Sequence, residues 1–468
     1  MTLVPDLTAS PAYRRSVLLS WTVVFLAVGF VVLAVNALPQ LKPSRKTGAA
    51  TQPMNLELRT AARYAVGAHA LTKGFGALDS KGATSQPASA LLDPVDRAAK
   101  TPEDRIRAAT VAGEIEGRDA ALSRLASIQV PADAPDLQAD VSSLRMIYSG
   151  AADELGDIER QPLIDHLGWF GRLALAYGKP ASDPQHQAVI APARRAAVFV
   201  LGFAGAALVL LAVGVVLLVL AVVLVATGTL RLWYRPVRPN VPRAVFLESF
   251  ALSIFLLMIV FQFAVALLVK TPGFGVSLFA LALVPLILWW PVFRGATWGE
   301  SLFAIGWNLG PGTGAWRVFR EMGSAVVGYI AGIPFLAGAF WVSQKLAHWV
   351  NVTPTHPIVK ELTEGGWRVA QVYVLACVVA PILEETMFRG ALFAHLRTWH
   401  RWPFSSVTVG VLFAAVHPQG WTLIPVLGMI GVILAAIREW RGSIVASMTA
   451  HALSNGVVVT LAVMLLGN

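Results

Sequence analysis

Val369-Ala-Gln-Val-Tyr-Val-Leu-Ala-Cys377-Val-Val-Ala-Pro381-Ile-Leu-Glu384-Glu385-Thr-Met-Phe-Arg389-Gly-Ala-Leu-Phe-Ala394 is an apolar stretch carrying two adjacent carboxylates and one arginine. At about 1.5 Å per residue it is long enough to cross a hydrocarbon layer roughly 30 Å thick. A carboxylate at that depth costs roughly 2–3 kcal/mol or more on insertion scales, so it is kept for a purpose or neutralised. Glu385 and Arg389 are four apart and share a helical face, where they can pair. Glu384 points about 100° away and is left without a local cation. The spacing therefore predicts Glu385–Arg389 as a structural ion pair and Glu384 as the chemical group.

Working outward, the rest of the chain has the same solvent. The 468 residues have a mean hydropathy of +0.63, with 56% hydrophobic and only 14% charged side chains. A soluble domain usually carries about a quarter charged residues. The sequence predicts an all-α polytopic membrane protein of about nine transmembrane helices, with an inserted helical extracytoplasmic domain. An anchor, residues 1–38, has its apolar run near 16–38 behind Arg14 and Arg15, and no cleavage site follows it. Eight further spans fall near 196–228, 244–270, 276–293, 323–344, 368–394, 404–418, 422–438 and 442–466. Residues 196–322 make the first transmembrane block and 323–468 the catalytic core. The segment Trp298–Trp307 has the pattern of a helix lying in the interface.

Residues 39–195 differ in composition. They hold 18 of the 27 acidic residues, and their apolar positions recur at helical spacing. Thr101-Pro102-Glu103-Asp104 reads as a helix start, with a hydroxyl cap, proline in the first turn and acids behind it. His69, His166 and His186 stand isolated there, without metal-ligand spacing, and the partner of this domain is not legible.

The formal charge of +10 is a statement about topology. The basic residues lie between apolar runs: Arg231, Arg235, Arg238 and Arg243, then Arg294, Arg317, Arg320, Arg397, Arg401, Arg438 and Arg441. Counted from an inside N-terminus, all of them fall inside. The expected location is a bacterial-type inner membrane, multi-pass, with 39–195 outside. No dense basic track points to nucleic acid. The single cysteine, Cys377, excludes an intrachain disulfide and a thiolate metal site.

Outside the 39–195 segment only nine acids remain: Asp6, Glu248, Glu300, Glu321, Glu361, Glu364, Glu384, Glu385 and Glu439. Most are placed in loops or at span ends, and Glu248 is close enough to Arg243 to reach it. Of nine histidines, only His417 and His451 lie within apolar runs, while His348, His356, His395 and His400 fall at interfaces. Glu384 and His417 each lie roughly 20 Å from the inner end of their runs, and His451 roughly 14 Å. His451 and Asn455 are four apart and are expected to point into one place. Phe413 lies one turn beneath His417 and can wall the site.

Glu384-Glu385-Thr-Met-Phe-Arg389, Phe413-Ala-Ala-Val-His417 and His451-Ala-Leu-Ser-Asn455, in this order on separate spans, resemble the CPBP family of intramembrane endopeptidases. That family includes the type II CAAX prenyl proteases and bacteriocin-processing proteins. The resemblance covers roughly 320–468 and says nothing of residues 1–195. It implies a helical membrane fold with a cavity open to the cytosol and a peptide or protein substrate held in the bilayer. Carried over, Glu384 and His417 activate a water, while His451 and Asn455 stabilise the oxyanion. Glu384, His417 and His451 are also a legitimate donor set for a divalent metal, zinc foremost. The zincin spacing His-Glu-x-x-His is absent, and metal-free use of the same groups is the alternative. A non-catalytic scaffold or immunity protein of this fold and a proton-coupled transporter are the rival readings. The transporter lacks the internal repeat expected of it.

Overall fold

The computed structural model describes residues 11–36, 55–76, 88–236, 244–268, 280–310, 314–350, 366–417 and 419–466. Arg238, Arg243, Glu361, Glu364, His356 and Asp6 lie outside them. Every regular element among the described residues is helical. The chain divides into two compact units, residues 46–207 and a second made of 1–45 and 208–463, with the division falling inside one long helix.

The 46–207 unit contains α1's successors in sequence. Where α1 is Pro11–Asn36, the unit begins with α2 (Leu56–Gly76), α3 (Ala88–Ala98), α4 (Pro102–Glu116) and α5 (Arg118–Ser127). It continues with α6 (Pro135–Ser149), α7 (Asp157–Leu167), α8 (Trp169–Leu175) and the start of α9 (Pro184–Ala226). The helix start expected at Thr101 is there: its hydroxyl accepts from the Asp104 N–H, and the Asp104 carboxylate accepts from the Thr101 N–H in a capping box. The core is built from Leu58, Val66, Leu92, Ile106, Leu144 and Phe170, all fully buried. Tyr148 closes over Gly113, where an added Cβ would stand 2.5 Å from its ring.

The other unit holds α1, the remainder of α9, α10 (Val245–Leu268), α11 (Leu283–Phe293), α12 (Trp298–Ile305) and α13 (Arg317–Trp349). Then come α14 (residues 367–397), α15 (Trp402–Ala415), α16 (Ile424–Arg441) and α17 (Ile444–Leu466). Among the described residues six helices are long and apolar enough to cross a membrane: Pro11–Leu33, Pro184–Ala226, Arg317–Trp349, Trp367–Arg397, Trp421–Arg441 and Ile444–Met464. Val245–Met258, Ala280–Phe293 and Trp402–Ala415 are apolar but shorter. Exposed leucines, valines and phenylalanines stud α1 and α9, as expected of side chains whose solvent is lipid.

Close helix approach in this unit depends on small residues. A Cβ added to Gly431 on α16 would meet the Gly410 Cα of α15 at 2.6 Å, and one on Gly410 would meet the Gly428 carbonyl oxygen at 2.6 Å. The α15–α16 pair is therefore packed backbone to backbone, and Val409, Phe413 and Leu434 fill the flanks.

Glu321 and Glu439, read as lying in loops or at span ends, are buried in ion pairs, and Glu248 pairs with Arg294. Glu321 is fully buried and takes Arg441 in a two-point pair, Nε at 2.9 Å and Nη2 at 2.5 Å. Glu439 does the same with Arg397, at 2.9 and 3.0 Å. Glu248 accepts from Ser16, from the Trp290 indole at 3.1 Å and from Arg294 at 3.0 Å. Burial is sustained because each carboxylate meets a guanidinium fork that fills both its oxygens.

Candidate active site

Helix α14 carries the two glutamates, and it is not uniformly α-helical. Leu375–Val379 and Glu385–Leu392 are π-helical, and Ala380–Glu384 between them is α-helical. A π turn shifts the hydrogen bond from i+4 to i+5 and displaces the carbonyls that follow; such turns are frequent at functional sites. The displaced groups here are taken by side chains from other helices. The Asn455 amide of α17 donates to the Ala376 carbonyl at 2.7 Å. Arg438 of α16 donates from Nε to the Arg389 carbonyl at 3.3 Å and from Nη2 to the Ala304 carbonyl at 3.1 Å. The Trp307 indole donates to the Thr386 hydroxyl at 3.1 Å. None of these braces was legible in the sequence, because each joins residues far apart in the chain, and those on Ala376 and Arg389 take carbonyls of the π turns.

Glu385 and Arg389 are both completely buried and pair at 2.8 Å, where their spacing placed them. Arg389 also donates to the Gly431 carbonyl at 3.2 Å, and its guanidinium lies 4.4 Å from the centroid of the Phe413 ring. The same Glu385 oxygen that receives Arg389 faces His451 Nδ1 at 2.9 Å. One carboxylate thus serves a guanidinium and an imidazole together.

His417 stands just past the end of α15, which stops at Ala415, short of the predicted boundary at 418. The turn aims its Nδ1 at the Phe413 carbonyl, 2.6 Å away. Phe413 is the wedge of the site: its ring centroid is 4.3 Å from His417, 5.8 Å from His451 and 5.4 Å from Phe388. The aromatic one turn beneath His417 therefore touches both histidines.

Glu384 closes the arrangement. Its Oε2 lies 3.8 Å from His417 Nε2 and 3.8 Å from His451 Nε2, on three different elements. Glu384 remains 24% exposed and His417 18%, whereas His451 is 4% exposed. The Oε2 atom is itself buried, and no described residue hydrogen-bonds to it. In each histidine Nδ1 faces an oxygen acceptor, which places the ring proton there and turns the Nε2 lone pair toward Glu384. Three electron-rich atoms thus converge at a separation that a single donor molecule can bridge.

Asn455 is placed apart from that convergence. Helical spacing put it beside His451, but its amide nitrogen is committed to Ala376, clamping α17 to the first π turn. Two histidines and a glutamate are the right donor types for zinc, yet among the described residues no three such side chains gather as a metal site.

Residues 366–457 match the family model described as type II CAAX prenyl endopeptidase, Rce1-like. No curated protein and no solved structure matches the chain. The match spans α14 to α17 up to His451 and Asn455, the helices that bring Glu384, His417 and His451 together, and over these residues the chain is similar to the type II CAAX prenyl endopeptidases.

Proposed function

We propose that this protein is an intramembrane endopeptidase that hydrolyses a peptide bond of a membrane-associated substrate by means of a glutamate-activated water. The observation that carries the reading is Glu384 Oε2 equidistant, at 3.8 Å, from two imidazole Nε2 atoms whose other nitrogens are already engaged. A water in that space gives one proton toward Glu384 and the other toward His417, which leaves an oxygen lone pair free for attack. As its oxygen bonds to the scissile carbonyl carbon, the water's proton passes to Glu384. Glu384 hands that proton to the His451 Nε2 lone pair, 3.8 Å away, and the imidazolium so formed hydrogen-bonds to the oxyanion. Its positive charge is supported through Nδ1 by Glu385, in the way a buried carboxylate supports a triad histidine. Collapse of the intermediate breaks the C–N bond, and the proton leaves His451 with the amine. Asn455 acts here through α14, by holding the π turn that precedes Glu384.

The same reading extends to topology. Taking the three shorter apolar helices as crossing with the six long ones gives nine spans, with the N-terminus inside and residues 39–195 outside. The buried pairs Arg397–Glu439 and Arg441–Glu321 then lie toward the inner face, in keeping with the positive-inside rule. Prenylated proteins, leader peptides and transmembrane segments all present the scissile bond at a bilayer, and each is a substrate class for such a site. The test is purified full-length protein against a library of lipid-anchored and plain quenched peptides, with and without chelator. Cleavage lost in Glu384→Gln supports the reading. Cleavage that survives in that variant removes it, and ion flux in proteoliposomes surviving Glu384→Ala would point to a transporter instead.

A further inference from the structure

In sequence the basic segment after α9 has only the pattern of an inner-face loop, yet residues 231–236 close the end of α16. That helix stops at Arg441, and the last carbonyls of a helix lack partners within it. The segment supplies two. The Trp233 N–H donates to the Trp440 carbonyl at 3.0 Å, and the Tyr234 N–H to the Glu439 carbonyl at 3.1 Å. Gly442, at φ +67°, lets the segment approach, since an added Cβ would stand 2.9 Å from the Trp233 carbonyl oxygen. Arg235 is spent on its own loop, donating from Nη1 to the Leu232 carbonyl at 2.7 Å and the Tyr234 carbonyl at 3.0 Å.

These backbone bonds fix where the Tyr234 ring lies. The residue is buried, and its ring stands edge-on to Phe393 of α14 with centroids 5.3 Å apart. It also meets two guanidiniums, Arg397 of α14 at 5.4 Å and Arg438 of α16 at 4.8 Å from its centroid. Arg397 is already held by Glu439. Arg438 is not so provided. It is buried, it donates to the Arg389 and Ala304 carbonyls, and its Nη1 makes no hydrogen bond among the described residues. The Tyr234 ring is the remaining group that answers its charge, and a desolvated cation is held by an aromatic face more strongly than an exposed one.

We infer that Tyr234 is a positioning residue for the glutamate site. Its ring keeps the Arg438 guanidinium against the Arg389 carbonyl, and so sets the π turn that carries Glu385 and Arg389 next to Glu384. The segment lies outside residues 366–457, over which the family resemblance runs. Because it continues directly from α9, the end of that helix and the register of α14 are set together. The consequence for turnover rests on the peptidase reading; the consequence for the π turn does not.

The test compares full-length wild type, Tyr234→Phe and Tyr234→Leu in detergent, by turnover of a quenched lipid-anchored peptide and by hydrogen exchange over residues 385–397. Tyr234→Phe keeps the ring and should stay within about twofold of wild type in both. Tyr234→Leu should lower kcat by about 10- to 100-fold with KM within about twofold, the scale of a small misplacement remote from the chemistry. Exchange over 385–397 should quicken by about tenfold or more, while α1 and α13 keep the wild-type rate. Unchanged kcat or unchanged exchange in Tyr234→Leu overturns the inference. So does faster exchange spread evenly over all the helices, which would make Tyr234 a contact of general stability. An equal loss in Tyr234→Phe overturns it as well, by assigning the role to the hydroxyl. If the wild type cleaves nothing, the peptidase reading fails, and the exchange result alone decides whether Tyr234 sets the turn.

Discussion

Glu384 and Glu385 are neighbours in sequence, and their neutralisation should have opposite consequences. Among the described residues Glu385 is the carboxylate that pairs with Arg389, a side chain of zero exposure, and Glu385→Gln removes it. An uncompensated buried charge costs about 3–5 kcal/mol, and the Phe413 ring and Gly431 carbonyl return only part of that, a desolvated cation–π contact being worth about 2 kcal/mol. A net loss of roughly 1–3 kcal/mol remains, equivalent to a thermal midpoint lower by roughly 2–5 °C for a unit of this size. Glu384→Gln removes a charge that is paired with no guanidinium. Its effect on the midpoint should be within about 1 °C, as for substitutions away from buried networks. Peptide cleavage should nevertheless fall by about 10²–10⁴-fold, the range expected when a general base is removed. Both variants are read in one preparation by thermal unfolding in detergent and by turnover of a quenched lipid-anchored peptide. If Glu384→Gln destabilises as much as Glu385→Gln, or keeps wild-type turnover, the division of labour between the two carboxylates is wrong.

Phe413→Leu takes away the ring that separates Arg389 from both histidines, so turnover should drop at least tenfold while the midpoint falls by about 1–2 kcal/mol in equivalent stability, the worth of the lost ring contacts; unchanged turnover would count against Phe413 as the wedge. Asn455→Ala frees the Ala376 carbonyl and should cost about 1 kcal/mol, with a loss of turnover smaller than that of His451→Ala, since its amide points away from the water site; an equal loss would return Asn455 to the oxyanion role. Turnover after exhaustive chelation should stay within about twofold, well under the tenfold step that 1.4 kcal/mol represents, and a loss reversed by added zinc would make Glu384, His417 and His451 metal ligands. In the 46–207 unit, burial raises the carboxyl of Asp140 above its ordinary 3.8 and that of Glu114 above 4.5, against the opposing pull of His166 and His186. The folded form therefore binds more protons than the unfolded chain in that window, and the stability so gained is complete below the ordinary values and lost as pH rises through the raised ones. Hydrogen exchange of α4 and α6 should slow on mild acidification at matched intrinsic rates, and Asp140→Asn should flatten the trend.

The legible parts of the fold are those fixed by periodicity within one segment. The apolar runs, the start of α4 at Thr101 and the four-residue spacing of Glu385 and Arg389 all follow from local geometry. The convergence of Glu384, His417 and His451 was readable only as equal depth in separate runs, because nothing in a single sequence says which helices are neighbours. What escaped reading depends on tertiary partners. Asn455 was placed beside His451 by α-helical spacing, yet the π turn at Leu375–Val379 presents a freed carbonyl that takes its amide. Glu321 and Glu439 read as span-end acids because their cations, Arg441 and Arg397, lie 120 and 42 residues away. Arg438 looked like one more inner-face charge, whereas it is buried against the backbone of α14 and α12.

The charge arrangement around α14 also argues against a purely structural network. A network kept to pin helices satisfies its members, as Arg441–Glu321 and Arg397–Glu439 do with two bonds each. Around the glutamates the same device is used once, for Glu385, and then stops. Arg389 and His451 both turn to that carboxylate, His417 turns its Nδ1 to a backbone carbonyl, and Glu384 Oε2 is left facing two Nε2 lone pairs. Holding three acceptors together destabilises the fold unless a proton donor or an electrophile enters between them. The surrounding braces, Arg438 on the Arg389 carbonyl and Trp307 on Thr386, hold the helix in that condition. A site kept short of one donor inside this braced shell is suited to binding and polarising a small molecule such as water, and less suited to stabilising a scaffold.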